Sequence, residues 1–150
     1  MSNFKDAFQS GIKEAKIAQS NIKEITSIFD DFNIDIHDAS NKVIDLEIRQ
    51  QYDSQQDSPF NRGIASLVRD FTNIGRYYEA IMASNSIKDN VEPIELCEWK
   101  IGVKGYPVKL SYEGLSESCE DKVSLISALE DLLRHPATGR KLNSLIEKSN

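Results

Sequence analysis

Nine apolar or small residues near the N-terminus recur at alternating steps of four and three: Phe4, Phe8, Gly11, Ala15, Ala18, Ile22, Ile25, Phe29 and Phe32. A helix presents that spacing as one stripe, whereas a strand would scatter it over both faces. No proline interrupts the run, and Lys, Glu, Gln and Ala fill the other faces. The pattern predicts one long amphipathic helix over residues 1–33, ending near Asn33. Its stripe has phenylalanines at both ends and a small centre, Gly11, Ala15 and Ala18, where another backbone can come close.

Something must hide this stripe from water. The flanking positions are Lys5, Ala7, Ile12, Glu14, Gln19, Asn21, Thr26 and Ile28, few of them charged. A two-stranded zipper usually carries complementary charges there. Ile12 and Ile28 instead widen the stripe toward the broad face of a helix lying on a core. Packing on the chain's own domain, alone or shared with a partner, is therefore expected over a simple zipper, with a homodimer kept open.

Beyond the helix, NIDIHDASNK alternates apolar and polar residues and offers turn chemistry from Asp38 to Asn41. VIDLEIRQ places Ile44, Leu46 and Ile48 on one face of a half-buried strand. QQYDSQQDSPFNRG reads as a polar loop. Residues 64–83 fit either a helical face or two strands, ASLVRDF and RYYEAIMAS, around TNIG. Strands are preferred because they would give the neighbouring strands partners. IELCEWKI and PVKLSY read as strands joined by GVKGY.

Ser118 is placed to cap a C-terminal helix, with Glu120 and Asp121 in its first turn. Val123, Ile126, Leu129, Leu132 and Leu133 would form the apolar face, and Arg134 and His135 the last turn. Pro136 would stop that helix, and Thr138 would cap a short one burying Leu142, Leu145 and Ile146. The expected fold is a single α+β domain. It comprises the long helix (1–33, free to project), an antiparallel meander of four or five strands (34–112) and a helical C-terminus (113–150).

At 150 residues such a chain can bury a core without staples. No apolar run approaches the roughly 20 residues needed to cross a bilayer, and the N-terminus lacks the look of a secretory signal. A cytoplasmic protein with no membrane association is expected. Cys97 and Cys119 match no metal or redox spacing and read as ordinary, partly buried thiols. The net charge of −6 argues against direct nucleic-acid binding. Nine acids against two bases lie between Glu24 and Asp57. Asp30, Asp31, Asp35, Asp38, Asp45 and Glu47 would make one end of the molecule electronegative.

Chemistry is sparse. Of the two histidines, His135 suits a helix C-terminus. His37 lies among Asp30, Asp31, Asp35 and Asp38, but DDFNIDIHD lacks the glycine and ligand periodicity of a calcium loop. No nucleophile–histidine pair can be argued, and GVKGYP is not a phosphate-binding loop. No catalytic residue, cofactor or metal is assigned. Trp99, Tyr77, Tyr78, Tyr106 and Tyr112 concentrate in the proposed sheet. With Glu95, Glu98 and Glu113 nearby, core packing or a protein interface suits them better than base stacking.

One stretch resembles a known group. Glu98-Trp99, Gly105-Tyr106-Pro107, Cys119-Glu120-Asp121, Ala128-Leu129, Leu132-Leu133, His135-Pro136 and Gly139 with Lys141-Leu142 resemble small accessory proteins of tailed bacteriophages and prophages. The resemblance covers residues 95–148 and implies a strand, turn, strand, helix, short-helix unit. It implies a setting and no catalytic residues.

The function these features favour is a non-enzymatic adaptor or inhibitor that docks on another protein through the helix stripe, the acidic surface or both. One alternative is an acidic decoy imitating nucleic-acid phosphate in the basic groove of a nuclease or defence complex. Another is a small enzyme or metal protein using His37 and nearby carboxylates.

Overall fold

A computed structural model describes residues 3–54 and 75–149. The polar loop from Gln55 on, the proposed strand ASLVRDF and most of the TNIG turn lie outside the described residues. The chain runs through helix α1 (Phe4–Ala39), strands β1 (Ile44–Ser54), β2 (Gly75–Asn85), β3 (Ile94–Gly102), β4 (Gly105–Tyr112) and β5 (Leu115–Cys119), then helices α2 (Lys122–Arg134) and α3 (Pro136–Glu147). The five strands form one antiparallel sheet in sequence order. This is the expected α+β meander, and RYYEAIMAS is a strand, as preferred.

The core lies between the sheet and the helices. Ile25, Phe29 and Phe32 of α1 meet Trp99, Leu110 and Ile81 of the sheet, with Leu125, Leu129 and Leu132 of α2 and Leu145 of α3. The Phe29 and Trp99 rings are tilted at 5.9 Å between centroids, a favoured aromatic geometry. The Trp99 Nε1 donor is buried without a partner among the described residues.

Helix α1 is 36 residues long, about 54 Å at 1.5 Å per residue, and runs past the expected end at Asn33. Ile36 explains the extension, because it continues the three-and-four spacing of Phe29 and Phe32 and packs against the core. The alternation of Ile34 and Ile36 imitated a strand, but Ile34 is exposed. Asn41 and Lys42 then take positive φ (55° and 68°) and turn the chain. The Ile44 N–H donates to Ser40 Oγ at 3.0 Å, and His37 Nδ1–H donates to the Ile44 carbonyl at 3.0 Å. Asn33 Oδ1 accepts the Leu46 N–H at 2.9 Å. β1 is an edge among the described strands, so this bond occupies a backbone donor that such an edge would otherwise leave open.

The C-terminal helices differ from the sequence reading at three points. Ser118 lies in β5 opposite Lys109, and the cap of α2 is Asp121. Its carboxylate accepts the Ser124 N–H at 2.9 Å, while Ser124 Oγ accepts the Asp121 N–H at 3.1 Å. The Ser124 backbone N–H first, and then the Ser124 hydroxyl, hold the Asp121 carboxyl below its usual range. The buried face of α2 is Leu125, Ala128, Leu129 and Leu132, whereas Val123 is 77% exposed and Ile126 37%. Two stripes with helical spacing overlap in this segment, and the one containing Leu125 and Ala128 faces the sheet. Finally, Pro136 does not merely end α2. It is the first residue of α3, capped by His135, whose Nδ1 accepts the Ala137 N–H at 3.1 Å. Thr138, expected as that cap, is buried inside the helix.

Candidate docking surface

The two halves of the α1 stripe meet different fates. Ile25, Phe29 and Phe32 are buried under the chain's own sheet, while Phe4 and Phe8 are 79% and 70% exposed. Every residue from Asn3 to Ile17 is exposed, including Gly11 and Ala15; Ala18 is half-buried and Ile22 again exposed. A Cβ added to Gly11 would meet nothing within 4 Å. The apolar stripe of the first half of α1 is therefore a bare ridge among the described residues.

The β3–β4 turn marks where the covered half begins. Gly105 has φ +90°, and an added Cβ there would come within 2.8 Å of Asn21 Cβ. Only glycine lets the turn approach the helix this closely in that conformation. Asn21 Nδ2 donates to the Lys104 carbonyl at 2.9 Å, Lys104 Nζ pairs with Glu14 at 3.0 Å, and Tyr106 Oη donates to Glu24 at 2.6 Å. Burial first, then this bond, pushes the Tyr106 hydroxyl well above its ordinary pKa. From sequence, Glu14 and Asn21 read only as positions flanking the stripe and Gly102 and Gly105 only as glycines of the GVKGY turn; nothing local shows that the turn presses against the helix.

A groove of about 700 Å³ runs between α1 and α2, with Glu24, the partner of Tyr106, at its margin. Its apolar floor includes Ile28, Ile36, Ile126 and Leu133, and its walls carry Asp31, Asp35 and Glu130 with Lys23 and Lys122. Asp30, Asp31, Asp35 and Asp38 are exposed on the last turns of α1, and none of them forms an ion pair among the described residues. Asp45 is exposed on β1, 3.6 Å from His37 Nδ1. Glu47 is half-buried and pairs with Arg49. The acids thus divide into a helix group and a strand group.

His37 lies in the last helical turn of α1 and is tied to the Ile44 carbonyl. Among the described residues no group of three or more His, Cys, Asp or Glu side chains is placed to hold a metal ion. Cys97 and Cys119 are free and buried, and burial pushes their thiols up to about 12 and about 11, far from the reactive thiolate range. Of the sheet aromatics, Trp99 and Tyr112 belong to the core and Tyr77 is exposed. Tyr78 Oη donates to Glu95 at 2.7 Å, which raises it to about 12. Among the described residues no helix is long and apolar enough to cross a membrane. The stretch 95–148 forms β3, β4, β5, α2 and α3, one strand more than its resemblance implied. Compared with family models, curated proteins and solved structures, the chain has no match in any of the three.

Proposed function

We propose that this protein is a non-enzymatic interaction module, an adaptor or inhibitor that docks through the N-terminal half of α1. One observation carries the reading: Phe4 and Phe8 stand exposed on a helical ridge whose continuation is core. A helical segment of this length is marginal in water by itself, and a contiguous exposed apolar surface with a polar rim is a mark of association. The phage-like look of residues 95–148 adds a setting, a phage or other mobile element, and no chemistry.

The test compares the wild-type chain with the double variant Phe4→Ser, Phe8→Ser, each immobilised and exposed to extract from its host. The wild type should retain a protein, its own kind or another, that the variant loses. Equal retention by both would remove the ridge as the docking element.

A second reading has its own support in the exposed helix acids Asp30, Asp31, Asp35 and Asp38, which form no ion pair among the described residues. They would suit a basic partner groove, as a phosphate-imitating decoy requires. Association by that route should weaken steeply as salt screens exposed charges. Affinity that ignores salt would count against it.

A further inference from the structure

We infer that the ridge is covered by a second copy of this chain, whose α1 packs antiparallel along Phe4–Ile22. This rests on the reading of the ridge as a docking element and adds the identity and direction of the partner.

Direction follows from the body of the molecule. The bare and covered parts of the stripe share one face of one helix, and from Ile25 onward that face is occupied by the chain's own sheet. A parallel partner following the stripe in register would run into it. An antiparallel partner overlaps only the bare stretch, about 27 Å long, and leaves past Phe4.

Shape selects the register. With a two-fold axis between Gly11 and Ala15, Gly11 faces Ala15 of the second copy, Phe8 faces Ala18 and Phe4 faces Ile22. The small pair lies at the axis, where the helices come closest, and in the two layers beyond it each phenylalanine meets a smaller residue rather than another phenylalanine. A parallel pair would instead stack Phe8 on Phe8 and Gly11 on Gly11, wide beside narrow. Ile12, exposed on the flank of the stripe, would meet its own copy beside the axis.

Gly11 gives an independent reason. A glycine in an exposed helix interior is destabilising relative to alanine, and no described residue needs the space, since a Cβ there would meet nothing within 4 Å. An approaching helix backbone does need it. The charges permit the pairing: between Phe4 and Ala18 lie Lys5, Lys13 and Lys16 against Asp6 and Glu14, and Glu14 is engaged by Lys104. Each phenylalanine has on the order of 150 Å² to bury, about 600 Å² over the four of a dimer, so the rest of the overlap must supply as much again to reach the roughly 1,200 Å² at which specific interfaces begin. A micromolar dimer is expected.

The experiment is sedimentation of the purified chain over a wide concentration range, for wild type, Phe4→Ser with Phe8→Ser, and Gly11→Leu. The wild type should dimerise, and the serine pair should weaken the dimer by about a hundredfold, as loss of central aromatics does. Gly11→Leu should also weaken it, although it makes the ridge greasier and a better helix. Disulfide trapping then reads direction: Ile12→Cys should cross-link two copies, and Phe4→Cys should not. A monomeric wild type, a Gly11→Leu variant that associates as well or better, or the reverse cross-linking pattern would each overturn the inference. A monomer that still captures a different host protein through Phe4 and Phe8 would overturn the second copy alone and leave the docking function standing.

Discussion

Tyr106 Oη donates to the Glu24 carboxylate at 2.6 Å, joining residues 82 positions apart. The bond sits where the α1 stripe passes from bare to covered. With Asn21 bonded to the Lys104 carbonyl, it fastens the β3–β4 turn to the helix and fixes how much of the stripe the sheet hides. Tyr106→Phe should cost about 1 kcal/mol of unfolding free energy in urea, the usual net worth of such a bond, without changing the fold.

Gly105 should be the least replaceable of the turn glycines. Gly105→Ala combines a positive φ with a Cβ 2.8 Å from Asn21 Cβ, and a cost of about 1–3 kcal/mol is expected. Gly114 also has positive φ, +74°, but an added Cβ there meets nothing within 4 Å. Gly114→Ala should therefore cost less, from backbone strain alone. Paired denaturant titrations measure the difference; equal costs would mean that the helix contact carries no weight.

His135 joins the two C-terminal helices as an acceptor. It ends α2 and caps α3 through Nδ1. Replacing a cap by alanine typically costs about 1 kcal/mol, so His135→Ala should destabilise by that order. His135→Asn should recover part of the loss, because asparagine also accepts at a cap. If the two variants unfold alike, edge packing on Tyr112 (5.6 Å between centroids) is the larger contribution.

Strong alkali should unfold the protein by a route set by buried acids. Burial raises Cys97 from 9.0 to about 12 and Cys119 to about 11, and the Glu95 bond raises Tyr78 from 10.0 to about 12. For such groups the unfolded chain gives up its protons first. Their contribution is therefore whole below about pH 9 and is lost as pH rises through the folded-state values. Unfolding free energy should fall progressively from about pH 9 upward, and a thiol reagent should label Cys97 and Cys119 quickly only after unfolding. Rapid labelling of the native protein would contradict their burial.

How far the sequence could be read depended on whether a pattern was local. The α1 stripe, the β1 alternation and the Gly102–Gly105 turn are periodic or chemical signals within a few residues of one another, and they resolved into the expected elements. Ser118 reads from sequence as the cap and Asp121, three residues on, as a first-turn acid, whereas Asp121 is the cap. Only strand pairing with Lys109, a contact across the sheet, places Ser118 in β5. In α2 the choice between two overlapping stripes depends on which side the sheet lies. The division of the α1 stripe into bare and covered halves was likewise hidden, because it is set by where the β3–β4 turn touches Asn21, a partner 84 residues downstream of that asparagine in Gly105.

That division gives a test requiring no partner. Ile25 and Phe8 occupy the same stripe, yet Ile25 is fully enclosed by the core and Phe8 is 70% exposed. Ile25→Ala should cost about 2–5 kcal/mol through lost burial and the cavity left behind. Phe8→Ala, measured where the chain is dilute enough to be monomeric, should stay within about 0.5 kcal/mol, as exposed substitutions do. If Phe8→Ala were as damaging as Ile25→Ala under those conditions, Phe8 would have to be packed against its own chain, and the ridge would not be free to meet anything else. A small cost in dilute solution that grows with protein concentration would instead tie the residue to association, because a dimer adds its binding free energy to the stability of each folded chain.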